Sequence, residues 1–351
     1  MARKRRHGLG DGWWGGWAVV AASFLAVIAP CTCAADDTAF PVPAGLTAAV
    51  RFWVETFTQY GYRDVIIHDR IEPGVVYDVV RDVDPGDDAR VRERVQAVVD
   101  RLALDALRGP SARALFQSSA VMLDPLDRVR THRGMREAVA EGLCAERAFR
   151  AEVRAALAAE GVPLDLSALP LVESTYHPGL TSQSGAVGLW QITADVADRY
   201  VDAAGRSDVR RDPFRATVAA ARYLRDLHQQ FGSWPLALTA YNHGPNGVQR
   251  AREAVGTDDV GEIARRYRGP GFGFASRNFY AEFLAARHVL RHAAQYFPEI
   301  APRRMVAYKV KRGDTLERVA KRHGVTVPSL RATNNIRAAA LRPGQVLLVR
   351  L

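Results

Sequence analysis

Cysteine is scarce: the 351 residues hold three, Cys31, Cys33 and Cys144. Two of them fall in a leading segment read below as removable, so a mature chain keeps Cys144 alone. That excludes an intrachain disulfide, and a large exported domain with a proper core needs none. Long apolar runs are also missing. The longest, Trp17 to Ala29, is shorter than the ~20 residues a spanning helix needs. It follows Arg3-Lys4-Arg5-Arg6 and precedes Thr32-Cys33-Ala34-Ala35 and the acidic Asp36-Asp37. This order reads as a secretory signal over residues 1–35. Trp13 and Trp14 would lengthen the run into an uncleaved anchor, the alternative reading. Pro30 before Cys31 fits a lipidation box poorly. Repeats at solenoid or propeller periods are absent. So is any basic patch interleaved with aromatics, which argues against a nucleic-acid partner.

What is present is an ordinary globular composition, 48% hydrophobic and 25% charged, with net charge +10. The length suits two to three domains. A basic exported protein suits anionic wall polymers or membrane surfaces. Composition divides the chain into a mostly helical N-terminal region (36–149), a helix-rich block (150–300), a linker (301–306) and a small module (307–351). The first region contains two strand-like runs, Asp64 to His68 and Val75 to Val80, and a helical repeat from Val91 to Leu107. His68 and Asp69 are neighbours there, and we read them as structural.

In the second block Ser167 is the expected N-cap of a helix carrying Glu173, with Pro170 in its first turn and Pro178-Gly179 at its end. Asp212-Pro213 signals another start. Trp234 to Tyr241 and Phe279 to His292 read as further helices. In the last block a strand at Tyr308-Lys309-Val310, helices at Thr315 to His323 and Val327 to Thr333, and a strand at Gln345 to Val349 make a βααβ unit.

The chemistry concentrates around Glu173. It ends an apolar run, Leu169 to Val172, where an unpaired carboxylate tends to hold its proton. That is a fault in a core residue and an asset in a general acid. Gly185 and Gly188 allow a sugar to approach the backbone. Gln191 offers a donor and an acceptor to an acetamido group. Tyr241 and Asn242 add a hydroxyl and an amide. His177 and His243 lack a spaced ligand set, so no metal site is read, and no cofactor is implied.

Three motifs now carry a resemblance. Glu173-Ser174, then Ser182-x-x-Gly185-Ala186-x-Gly188-Leu189-Trp190-Gln191, then Ala240-Tyr241-Asn242 resemble the soluble lytic transglycosylase domain. Tyr308-x-Val310-x-x-Gly313-Asp314-Thr315-Leu316, Asn334-Asn335 and Leu341-x-Pro343-Gly344-Gln345 resemble a LysM glycan-binding module. The pairing is similar to the membrane-bound transglycosylase D type. The resemblance implies a mainly α protein: a lysozyme-like helical catalytic domain after the N-terminal region, then the βααβ LysM. It implies Glu173 as single acid/base in non-hydrolytic cleavage of peptidoglycan, closing a 1,6-anhydro ring. It implies substrate contacts at Ser174, Ser182, Trp190, Gln191, Tyr241, Asn242 and Tyr280, and glycan contacts in the LysM at Gly313, Asp314, Thr315 and Asn335.

Trp190 replaces the broad family's methionine, as in the D type. Ser276-Arg277 replace a Glu-Thr pair. The implied setting is the periplasm or cell envelope, the partner peptidoglycan strands, and the state a monomer. The LysM would raise avidity as a tether. A wall-binding protein without activity and a hydrolytic muramidase on the same fold are the alternatives.

Overall fold

A computed structural model describes residues 38–108, 125–201, 208–300, 304–336 and 340–351. The signal reading of residues 1–35 lies outside them. Among the described residues no helix is long and apolar enough to cross a membrane. The body from Thr38 to Leu351 is one compact unit and is mainly helical.

The N-terminal region is more mixed than its charge pattern suggests. β1 (Val65–Asp69), β2 (Val76–Val80) and β3 (Val129–Arg133) form an antiparallel sheet in the order β2-β1-β3. β1 and β2 are the two runs visible in the sequence. β3, Val-Arg-Thr-His-Arg, carries too much charge to announce itself, and pairing with the buried β1 makes it a strand. β1 is buried on both faces. Val65 and Ile67 join Val80, Val91 and Val98 in a small core under the Ala89–Arg108 helix. Ile66 turns the other way, into the main core.

The main core continues through the Arg136–Ala159 helix, which crosses the expected boundary at 149/150 without a break. Around it lie the helices Leu169–Ser174, Pro213–Phe231, Trp234–His243 and Phe274–Arg291. Asp212 caps the Pro213 helix as its sequence implies, accepting from the Phe214 amide at 3.1 Å. Ser167 does not cap the Glu173 helix. A 3-10 turn, Leu164–Ala168, runs straight into Leu169, so no extended residue is left to serve as a cap. The helix ends at Ser174, before Pro178, because Thr175 and Tyr176 turn left-handed at φ 47° and 58°.

The last module is the expected βααβ. β4 (Met305–Lys309) pairs antiparallel with β5 (Val346–Arg350), and the helices Leu316–His323 and Val327–Asn334 lie between them in sequence. β4 begins at Met305, within the stretch read as linker.

Candidate active site

Glu173 is the penultimate residue of a six-residue helix. A close approach holds that helix in place. Gly142, inside the Arg136–Ala159 helix, faces it with no side chain; a Cβ there would stand 2.9 Å from the Thr175 carbonyl oxygen. Burial of Leu169, Pro170 and Leu171 anchors it further. Glu173 itself is half-buried, with no hydrogen-bond or ion-pair partner among the described residues. Desolvation first, and the carboxylate of Glu282 second, push its carboxyl up to about 8.

Ser174 ties this helix to the next motif. Its Oγ donates to the Leu189 carbonyl at 2.7 Å and accepts from the His177 amide at 3.2 Å. The loop between is a tight hairpin. The Ser182 Oγ accepts from the Ala186 amide at 3.0 Å and lies 2.9 Å from the Ser184 hydroxyl. Gly188 is required twice over: φ is +82°, and a Cβ would meet the Arg210 carbonyl oxygen at 2.0 Å. Gln191 stands in the left-handed region, and its Nε2 donates to the Gly188 and Leu180 carbonyls at 2.9 and 3.3 Å. Its amide nitrogen is thus committed to the loop, while its Oε1 keeps acceptor capacity.

Tyr241 closes the site from the Trp234–His243 helix. Its hydroxyl donates to the Trp190 carbonyl at 2.7 Å. Burial, the Glu173 charge and Tyr223 raise its ionisation well above the usual phenol range, so it stays a donor. Asn242 is exposed beside it, and its Oδ1 accepts from Ser276 Oγ at 3.1 Å. Ser276 therefore orients this amide.

Two residues expected to touch substrate are fully buried. Trp190 is fully buried, with Nε1 donating to Thr217 Oγ1 at 2.8 Å. Its bulk fills the core beneath the motif, and only its backbone carbonyl serves the site. Tyr280 is also fully buried, and its hydroxyl donates to the Pro41 carbonyl at 2.8 Å, which fastens the start of the described chain to the long helix. One residue was missed. Glu282, on the same helix as Tyr280, is a second half-buried carboxylate, raised by burial to about 8. The signal was present: it is the one acid in the apolar stretch Phe279 to Ala286.

In the C-terminal module the four expected glycan residues surround two turns. Gly313 turns at φ +85°. The Asp314 carboxylate accepts from the Tyr308 hydroxyl at 2.6 Å and the Lys311 amide at 2.8 Å. Thr315 caps the following helix, and Asn335, left-handed at φ 50°, ends the next one. Asp314 and Thr315 spend their side chains on the turns.

Known proteins match this arrangement in two places. Residues 153–263 match the family described as Transglycosylase SLT domain, and residues 308–350 match the LysM domain. The chain therefore carries an SLT domain followed by a LysM domain. Among curated proteins it is 28% identical over 180 residues to membrane-bound lytic murein transglycosylase D of Escherichia coli strain K12, covering 49% of this chain and 39% of that protein. It is 31% identical over 148 residues to membrane-bound lytic murein transglycosylase F of Ectopseudomonas mendocina, covering 38% and 29%. The chain thus spans about two fifths or less of the length of these relatives. Among solved structures it overlaps the 70 kDa soluble lytic transglycosylase of Escherichia coli at 19% identity and TM-score 0.35, over 59% of this chain and 30% of that one.

Proposed function

We propose that this protein is a peptidoglycan lytic transglycosylase of the cell envelope, with Glu173 as its single acid and base. The observation that carries the reading is the Glu173 carboxyl: unpaired, desolvated, and fastened through Ser174 to the turn that presents Gln191. A carboxyl so placed is protonated at neutral pH and can give its proton to a glycosidic oxygen. As the bond between N-acetylmuramic acid and N-acetylglucosamine breaks, the leaving hydroxyl keeps that proton. The Glu173 carboxylate then takes the proton of the muramyl 6-hydroxyl, whose oxygen closes on C1. The 1,6-anhydro ring forms and Glu173 returns to its starting state. The Gln191 Oε1 and the Tyr241 hydroxyl oxygen, whose proton is given to Trp190, supply acceptors beside the reacting sugar, and the Asn242 amide nitrogen supplies a donor.

The test is a mass spectrum of soluble products from purified peptidoglycan. Muropeptides one water lighter than hydrolytic products are expected. Glu173→Gln should lower their release about a thousandfold with the fold intact. The donating form of Glu173 is present below its raised pKa and lost above it, so the rate should fall as pH rises through about 8. Reducing ends in place of anhydro ends, or release that survives Glu173→Gln, would sink the reading.

A further inference from the structure

The reaction above uses one carboxylate, and the site holds two. Glu282 lies on the Phe274–Arg291 helix, which packs directly on the Leu169–Ser174 helix carrying Glu173. Its sequence neighbours Phe279, Tyr280, Ala281, Phe283, Leu284 and Ala285 are all buried. A carboxylate in such a setting is costly unless it is paired. Yet neither Glu282 nor Glu173 makes a salt bridge or hydrogen bond among the described residues, and the charge that bears on Glu173 is that of Glu282.

Other charged groups on the surrounding elements engage groups elsewhere. Arg277, earlier on the Glu282 helix, donates to the Tyr267 carbonyl at 3.3 Å and lies near Arg268 and Arg70, with its Nε unpartnered among the described residues. Asp165, in the Leu164–Ala168 turn, holds Arg287 at 2.7 Å and Arg291 at 2.6 Å. On the Arg136–Ala159 helix, Glu146 holds Arg150 at 2.5 Å. On the Val260–Arg266 helix, Glu262 holds Arg265 at 2.8 Å. Glu55, on the Thr47–Thr58 helix, lies beside Arg51. From the Trp234–His243 helix the group that faces Glu173 is the neutral Tyr241, with Tyr223 behind it. The charge that bears on Glu173 is thus that of Glu282, and no cation bears on either carboxyl.

We propose that Glu282 is the acid partner of Glu173: the two carboxyls, on helices packed together, share one desolvated site, and once Glu282 ionises its charge holds the donatable proton on Glu173. This rests on the transglycosylase reading. Two like charges in a desolvated site disfavour each other, so the pair gives up its two protons in separate steps and titrates as a unit. In the reaction Glu282 gives and takes no proton and forms no bond; it is a positioning residue acting through Glu173. Its effect is felt twice. Where Glu282 is ionised, its charge adds to desolvation in keeping Glu173 protonated before cleavage. After cleavage the same repulsion drives Glu173 to recover a proton from the 6-hydroxyl.

The experiment is the pH profile of anhydro-product release by the full chain and by its Glu282→Gln and Glu282→Asp variants. Removing the charge should move the falling limb of the profile to lower pH. A shift of about one unit lowers the rate about tenfold above the limb and leaves it unchanged below. Glu282→Asp should keep the wild-type limb. A Glu282→Gln profile that superimposes on wild type, or one lowered equally at every pH, overturns the proposal. So does a wild type that makes reducing ends which Glu282→Gln abolishes, since Glu282 would then be the base for a water. Titration of 13C-labelled glutamate carboxyls in the unaltered protein gives a second measurement. Two coupled steps above the usual carboxylate range support the pair, and two independent ordinary titrations overturn it. Failure of the transglycosylase reading itself would show separately, as an active Glu173→Gln or an absence of anhydro ends in wild type.

Discussion

Two acids of this chain are withdrawn from water and treated in opposite ways. Asp69 is fully buried, and every direction is met: the Tyr77 hydroxyl at 2.7 Å, the Ile71 and Glu72 amides at 2.8 and 2.9 Å, and the Arg128 guanidinium. Glu173 has none of this. A satisfied acid organises the fold, whereas an unsatisfied one stores reactivity. The neighbouring His68 belongs with Asp69. Its Nδ1 lies 2.9 Å from the Asp69 carbonyl oxygen, its Nε2 has no partner among the described residues, and its ring packs between Phe52 and Phe274. Burial lowers its pKa to about 4. The folded state therefore resists a proton that the unfolded chain accepts near 6.5. Stability is complete above about 6.5 and is lost as pH falls toward 4, by roughly 3 kcal/mol. Urea unfolding between pH 7.5 and 4 should show this loss. His68→Phe should flatten it in part, because His132 is also depressed by burial. A variant as acid-sensitive as wild type would remove His68 as the source.

At the scale of elements, the site depends on how closely two helices approach. A glycine inside a helix costs about 1 kcal/mol relative to alanine. By propensity alone Gly142→Ala should therefore stabilise. Its Cβ would instead press on the Thr175 carbonyl oxygen at 2.9 Å and the Leu171 side chain at 2.8 Å. The Glu173 helix would have to shift. We expect Gly142→Ala to destabilise by roughly 1–3 kcal/mol, in line with overpacked cores. Turnover should fall more than substrate affinity. A higher melting temperature with unchanged turnover would refute the contact.

The same scale shows what could be read in the chain. Asp212-Pro213, the βααβ pattern and the apolar run before Glu173 are local signals, and each marks the element it predicts. The strand β3 and the pairing of Glu282 with Glu173 are not local. One needs β1 as a template, and the other needs two distant helices to be packed together. Trp190 and Tyr280 lie between these cases. Their place in the motifs is visible, but which way a large ring turns is set by the core. Ser167 fails as a cap because a 3-10 turn leaves no room for one.

At the scale of the molecule, the C-terminal module is docked rather than tethered. β5 is buried on both faces. Leu347 and Val349 enter the module's own core with Val310, Leu316, Val319 and Leu330. Val346, Leu348 and Met305 of the paired strand join the main core instead, where β4 lies against the Arg136–Ala159 helix. Lys309 Nζ reaches Asp212 at 2.8 Å, and Arg350 pairs with Glu141. The His177 ring, four residues after Glu173, lies beside the Thr333 backbone. A flexible tether would raise avidity for the polymer and do nothing else. A docked module also braces the loop that follows Glu173. Removing residues 304–351 should expose three apolar side chains' worth of contact, each worth about 1.5–3 kcal/mol when fully buried. Calorimetry should show the remaining body melting several degrees lower. Turnover of short soluble glycans, too small to engage both domains at once, should fall as well. A tether alone predicts the opposite on both counts: an unchanged melting temperature for the remaining body and full activity on short substrates, with only wall binding reduced.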